Sequence, residues 1–434
     1  MRTLIPVFRA NCILFSRPIS DMMFTVSRYF FFNIDTEQIM HQSLSPRRDL
    51  TAHYCLYQTA YFAACAGYSA FAVTYLMGKG FATSEIGVIL AMTNILSCLM
   101  QPLLGDYADR HPVSSLQRLL TLCIGITFAC AALIEGIALA HLLTGALYLT
   151  GGVAFSLTVA LSNSLCASYA QRQYHINYGV GAGIGSIAFS FASLGLGFVL
   201  SRLGSRMLMV IVLLFLAVQM ALALTFPRIR DEQEKETVKK EKSLSLIAFA
   251  RRYKNFMLTL CGVMLIGSCH MMSENFMINL FQEFGGTSEN VGTALFLACT
   301  TAAPALLLFE RIQRVTGIEK LMRICGVFYV LKMVLMALSS SILSVYLIEL
   351  MQTITYVFLF PPIYYFARER IAESDVAKGQ TVANALYTFG VAIGNSVGGA
   401  IIDAAGVRVM LVAAAVIALT GMIMINVFIG KKDV

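Results

Sequence analysis

Five ionisable side chains stand inside long apolar stretches of this sequence: Glu135, His270, Glu274, Lys332 and Glu349. An ionisable group at bilayer depth is costly, which makes each a candidate for function. His270 and Glu274 are spaced i,i+4, so on a helix they share a face and can interact. A histidine beside a carboxylate can titrate near neutral pH, as proton coupling requires. The same pair could instead be a fixed hydrogen bond that stabilises its helix. Lys332 and Glu349 lie on consecutive apolar segments and can form a buried ion pair. A permanent pair is structural, whereas one that breaks during a cycle couples. The proton-coupling candidates are therefore His270, Glu274, Lys332 and Glu349. Glu135 stands at the end of its segment, where a carboxylate can snorkel to the interface.

Uncharged polar residues form a second set. Tyr54, Tyr57, Gln58, Tyr61 and Tyr68 recur at helical spacing along the first apolar segment. Such a stripe should face water or a solute, with Tyr54 an interfacial belt residue. Gln352, Thr353 and Tyr356 continue the face of Glu349, and Asn384, Tyr387, Thr388 and Asn395 line a later segment. Ser156 and Asn163 lie on the fourth. The solute-binding candidates are Tyr57, Gln58, Tyr61, Tyr68, Asn163, Gln352, Tyr356, Asn384 and Tyr387, and each can alternatively bind helix to helix. Together they suit an uncharged, hydroxyl-rich solute. Gly179, Gly181, Gly183, Gly185, Gly195 and Gly197 do not meet GxGxxG spacing and no strand precedes them, so close helix packing is expected there, not a nucleotide. No Walker motif, metal-ligand cluster or nucleophile constellation is present in the sequence, so neither an enzyme, an ATP-driven pump nor a cofactor is expected.

The elements that must position these residues are helices in lipid. Of the 434 residues, 58% are hydrophobic and 13% charged, about half the charged share of a soluble domain. Mean hydropathy is +0.73. Twelve apolar segments run approximately 54–77, 86–104, 119–140, 143–167, 177–200, 207–226, 256–281, 290–309, 321–339, 342–366, 380–402 and 407–429. Each has the length of a transmembrane helix and lacks the alternation of a barrel strand. The fold class expected is an all-α polytopic membrane protein with twelve transmembrane helices. Residues 1–50 contain no apolar run long enough to span and no signal-peptide pattern. They read as a cytoplasmic tail, disordered or surface-lying, or as a start placed ahead of Met40.

The net charge of +8 reflects loops and not a nucleic-acid surface. Lys and Arg crowd one side of the twelve segments, while only Lys79, Arg202, Arg206 and Arg408 fall on the other. By the positive-inside rule the crowded side is cytoplasmic and holds both termini. Most of the eleven cysteines lie in apolar runs without metal-type spacing and read as small core residues. The charged stretch 227–254 reads as a cytoplasmic linker. It separates two six-helix bundles, 51–226 and 255–430. These look like repeats offset by 202–204 residues: Thr83-Ser84-Glu85 recurs as Thr287-Ser288-Glu289, Pro102 as Pro304, and Ser201, Gly204 and Arg206 as Asp403, Gly406 and Arg408.

Between the second and third segments stands Gln101-Pro102-Leu103-Leu104-Gly105-Asp106-Tyr107-Ala108-Asp109-Arg110-His111. This turn resembles the loop signature of the major facilitator superfamily: Gly, three residues, Asp, then a base. Gly105, Asp109 and Arg110 fit it, while His111-Pro112-Val113-Ser114 replaces its second half. Two parallel six-helix repeats joined by a charged linker are the architecture of that family. The polar-aromatic first segment, Gly80-Phe81, Ser84-Glu85-Ile86-Gly87 and Gln101–Gly105 resemble its lactose-permease-like branch of sugar and nucleoside proton symporters. The glycine-rich fifth segment, the absence of Trp, and Asn163 in place of an acid on the fourth segment depart from that branch.

The resemblance implies two pseudo-symmetric bundles in the major facilitator fold, a solute site between them and alternating access. It assigns Gly105, Asp109 and Arg110 to gating. The function expected is a permease: proton symport of a small, polar, uncharged solute of sugar or nucleoside type across a bacterial plasma membrane. The partners are solute, proton and lipid bilayer, with no nucleic acid and a monomeric protein. A drug or metabolite exporter of the same fold is the alternative. A transporter-like sensor or assembly partner that moves nothing is the alternative of another class.

Overall fold

The computed structural model describes residues 48–110, 113–170, 172, 174–227, 245–431 and 433. Residues 1–47 and most of the charged linker, 228–244, lie outside these. The burial and contacts of the three gating candidates, Gly105, Asp109 and Arg110, also lie outside what is described.

From Thr51 the chain is a succession of helices, apart from a two-residue strand at Tyr174–His175. In the N-terminal half, α1 (Thr51–Cys65) passes through one π-helical stretch (Ala66–Ala70) into α2 (Ala72–Gly78). Then come α3 (Thr83–Arg110), α4 (Val113–Gly136), α5 (His141–Ala170) and α6 (Tyr178–Leu224). The C-terminal half opens with a short α7 (Leu246–Arg252), followed by α8 (Lys254–Asn275), α9 (Met277–Glu283), α10 (Ser288–Leu307), α11 (Phe309–Thr316) and α12 (Ile318–Leu338). It closes with three consecutive pieces, α13 (Ile342–Glu349), α14 (Gln352–Thr355) and α15 (Phe360–Arg370), then α16 (Val376–Ala405) and α17 (Val407–Phe428).

Among the described residues nine helices are long and apolar enough to cross a membrane, or eleven when two pairs bent by 52° and 62° each count as one span. The 47 residues of α6 would reach about 70 Å at 1.5 Å per residue, more than twice a bilayer core. Its chain reverses at Gly204, whose φ of 81° and ψ of 176° break the helix. Counting α6 as two crossings brings the total to the twelve read from the sequence. Gly406 has the matching φ of 85° and ψ of 167° between α16 and α17. Both positions need left-handed φ, which only glycine adopts without strain. The repeat offset is thus visible in backbone conformation.

Large apolar side chains such as Leu99, Leu142, Leu214, Leu343 and Val416 are exposed around the outside, where lipid tails replace a protein neighbour. Inside, the two halves meet along two seams on the face opposite the chain's ends, here the distal face. In one seam Gly87 of α3 lies against the backbone of Asn395 and Ser396 on α16, and Gly399 of α16 lies against Thr83 and Ser84. In the other, Gly197 of α6 and Gly292 of α10 face each other. A β-carbon at Gly197 would come within 2.7 Å of the Ser288 carbonyl, and the other three are tighter. Ser190 and Thr300 hydroxyls meet across the second seam at 3.1 Å.

On the opposite face the C-terminus folds back onto the C-terminal half. The Asp433 carboxylate accepts hydrogen bonds from the backbone N–H groups of Asn255 (2.6 Å) and Phe256 (2.9 Å). These are first-turn amides of α8, which have no partner within the helix. Asp433→Ala should cost about 1 kcal/mol. Thermal melting in detergent should show a lowered midpoint, with transport unaltered. An unchanged midpoint would show that the cap adds nothing to stability.

Candidate transport site

Lys332 on α12 is completely buried. A buried ammonium needs acceptors for all its protons, and it has three. Its Nζ is 2.9 Å from Glu349 Oε2, 2.9 Å from Gln352 Oε1 and 3.3 Å from Glu274 Oε1. His270 Nδ1 lies 4.0 Å from Glu274 Oε1. The two pairs expected separately from the sequence are therefore one cluster, with Lys332 joining them. Its members are not equally accessible: Glu274 keeps 13% of its side-chain surface, whereas Lys332 and Glu349 keep none. Glu274 is thus the most exposed charged member of the cluster.

The acceptors converge because the span between 342 and 370 is broken. α13 ends at Glu349, a single turn of helix carries Gln352, and α15 begins with Pro361 and Pro362 in its first turn. A proline has no N–H to donate to the turn before it but fits the first turn of a helix. The consecutive prolines thus leave the Val357 and Phe358 carbonyls without the N–H donor four residues on, in a stretch where the chain forms turns. Discontinuous helices at mid-membrane are tolerated where they line a polar site.

Aromatic rings surround the cluster. The His270 ring lies edge-on to Tyr329 at 5.8 Å and tilted to Tyr356 at 6.1 Å. Tyr356 stacks on Phe360 at 4.9 Å, and Phe360 meets Tyr387 edge-on at 4.8 Å. Tyr387 packs over Gly267 of α8, where a β-carbon would come within 2.8 Å of its ring. Buried atoms without a hydrogen-bond partner among the described residues include His270 Nδ1, Glu349 Oε1 and Tyr329 OH. Unpaired groups of this kind are rare in folded proteins, and three of the nine found among the described residues lie at this cluster.

The structure thus brings together His270, Glu274, Lys332, Glu349, Gln352, Tyr356 and Tyr387. The remaining sequence candidates sit elsewhere. Tyr57 accepts a hydrogen bond from Gln219 of α6 at 3.1 Å. Gln58 donates to Tyr54. Tyr61 stacks on Phe155 at 5.1 Å. Tyr68 and Tyr148 exchange bonds: each hydroxyl donates to the other's backbone carbonyl. Tyr68 belongs to the π-helical stretch, a feature that frees a local carbonyl. Asn163 is exposed on α5 and Asn384 half-buried on α16. Glu135 is held at the distal rim by the Tyr75 hydroxyl and by Lys79 Nζ at 2.8 Å. It lines a cavity of about 520 Å³ with His141 and Arg206, in the half that lacks the cluster.

Tyr329, which borders the cluster through His270, is not among the candidates read from the sequence. It stands three residues before Lys332, on the same helical face, and that spacing was the available signal. The contact of Asn275 with Asn395 at 2.6 Å joins α8 to α16 and has no sequence signature.

Helices broken at a buried ion cluster, in two pseudo-symmetric halves that meet on one face, define a membrane transporter of the major facilitator fold. The chain belongs to the MFS_1 like family, whose model matches residues 50–413. Two crystal structures of the nucleoside transporter NupG are similar to it, with TM-scores of 0.77 and 0.75 and sequence identities of 17% and 18%; each alignment covers 88% of this chain and all of NupG. A POT family transporter in complex with 5-aminolevulinic acid gives a TM-score of 0.66 at 15% identity, covering 88% of this chain and 96% of that one. A bacterial homologue of the human lysosomal transporter Spinster, inward-facing and unoccupied, gives 0.62 at 14% identity, covering 87% and 96%. No curated protein sequence matches the chain.

Proposed function

We propose that this protein is a proton-coupled secondary transporter of a small, polar, uncharged solute, sugar- or nucleoside-like. It works by alternating access in a bacterial plasma membrane with both termini cytoplasmic. The observation that carries the reading is Lys332 held between Glu274 and Glu349. With both carboxylates ionised the cluster carries one excess negative charge, which is costly to bury. One added proton neutralises it. Glu274, the most accessible member, is the point of uptake, with His270 beside it to exchange the proton. Gln352, Tyr356 and Tyr387 are the solute contacts adjoining the cluster, and Tyr61 is the contact from the other half. Asp109 and Arg110 act in the gate on the terminal face. The rings at Tyr356 and Tyr387 suit stacking against a base or the apolar face of a sugar, and the NupG likeness makes nucleosides the first solutes to test.

The test is uptake of labelled nucleosides and sugars into proteoliposomes under an imposed pH gradient. Glu274→Gln and His270→Ala should each lower gradient-driven accumulation by about tenfold or more, while Glu274→Gln retains solute exchange without a gradient. This expectation uses the tenfold change per 1.4 kcal/mol of lost coupling. Undiminished gradient-driven uptake in both variants would sink the assignment.

A further inference from the structure

Asp403 stands near the end of α16, on the distal face, and its carboxylate reaches across to the other half. Oδ1 accepts from the backbone N–H of Thr83 at 3.2 Å, and Oδ2 from that of Ser84 at 2.7 Å. These amides begin α3 and have no partner within it. The capping residue of α3 is thus supplied by the opposite half of the molecule. The N–H of Ala82, just before the helix, is taken locally by Glu85 at 2.8 Å, and Glu85 in turn contacts His141 at 3.1 Å.

The pseudo-equivalent seam is built differently. There α10 caps itself, the Asn290 side chain accepting from the Thr287 backbone N–H at 2.8 Å. Ser201, which occupies the position of Asp403 in the first repeat, turns its hydroxyl back to the Phe198 carbonyl at 2.9 Å. One seam therefore closes with a charged cap across the halves and the other does not.

We infer that Asp403 is a gating residue that holds the distal face shut. The inference rests on the alternating-access reading above. The cap exists only while α3 and α16 touch. Any state open on the distal face must break both hydrogen bonds and leave two helix amides and a carboxylate to be solvated. The carboxylate also sits at the positive end of the α3 dipole, which adds to the attraction. Gly87 and Gly399 bring the backbones close enough for this reach.

Hydrogen exchange of the full chain in lipid nanodiscs, read by mass spectrometry at one fixed pH, tests this without solute or proton gradient. It can therefore fail while the coupling assignment stands, and the reverse. Asp403→Ala should speed exchange by roughly fivefold to tenfold, the worth of a lost helix cap, and Asp403→Asn, which keeps one acceptor oxygen, by less. The increase should appear both in peptides covering 82–90 and in the remote second seam, 190–200. Asp403→Glu, which retains a carboxylate, should stay near wild type. Faster exchange confined to the first turn of α3, with 190–200 unchanged, would make Asp403 an ordinary local cap and overturn the inference, as would no change at all. Should Asp403→Ala not fold, Asp403→Val, which is of similar size and likewise offers no acceptor, decides between these outcomes.

Discussion

Lys332→Met should abolish gradient-driven uptake and destabilise the protein by about 3–5 kcal/mol, the cost of removing one partner from a buried ion pair. The size follows from the geometry. Lys332 is the sole cation in contact with Glu274 and Glu349 among the described residues, and both it and Glu349 have no exposed surface. Taking the ammonium away leaves two carboxylates buried side by side. Adding Glu349→Gln to Lys332→Met removes one of the stranded charges and should recover a substantial part of the melting temperature. The non-additivity of this cycle measures the pair directly. Uptake should not recover with it, because the restored protein no longer has an ammonium to exchange between two acids. A Lys332→Met protein that melts like wild type would show that the cluster is not buried as described. A double variant that both melts and transports like wild type would remove the cluster from the mechanism.

Composition and periodicity made the helices legible, because apolar runs of membrane length admit few other structures. The reversals at Gly204 and Gly406 were legible as a repeat, although the sequence pattern alone does not state that both adopt positive φ. The cluster was half legible. An acid or base inside an apolar run is conspicuous, so His270, Glu274, Lys332 and Glu349 could be singled out. That Lys332 joins both pairs depends on how α8, α12 and the broken 342–370 span pack, and periodicity does not encode helix-to-helix rotation. The N-terminal polar stripe shows the same limit from the other side. Tyr57, Gln58 and Tyr68 share a spacing that suits a water-lined face, yet each side chain has found a partner within its own half. A tyrosine stripe looks the same in sequence whether its hydroxyls meet a solute or a neighbouring carbonyl. Asp403 was visible only as a repeat match to Ser201, and its partners are backbone amides more than three hundred residues away, a contact that no local pattern announces.

Gly399→Leu should prevent the distal face from closing. The β-carbon alone would collide with the backbone of Thr83 and Ser84. Backbone cannot rotate aside as a side chain can, so relief must come from separating α16 from α3. Overpacking of this kind costs about 1–3 kcal/mol, equivalent to roughly a tenfold to hundredfold shift against the closed state. Gly87→Leu meets the backbone of Asn395 in the same seam and should do the same. Gly195→Leu is the control: it lies on α6 only two residues from Gly197, yet a β-carbon there meets nothing within 4 Å. The first two variants should lose net transport and gain exchange in both seams, while Gly195→Leu behaves as wild type. The comparison separates two roles that glycine-rich helices combine. If all three variants fail alike, the glycines serve helix flexibility or insertion in general. If only the seam positions fail, the distal contact is a surface that must come together once in every cycle, and the four facing glycines are the condition for its closing at backbone distance.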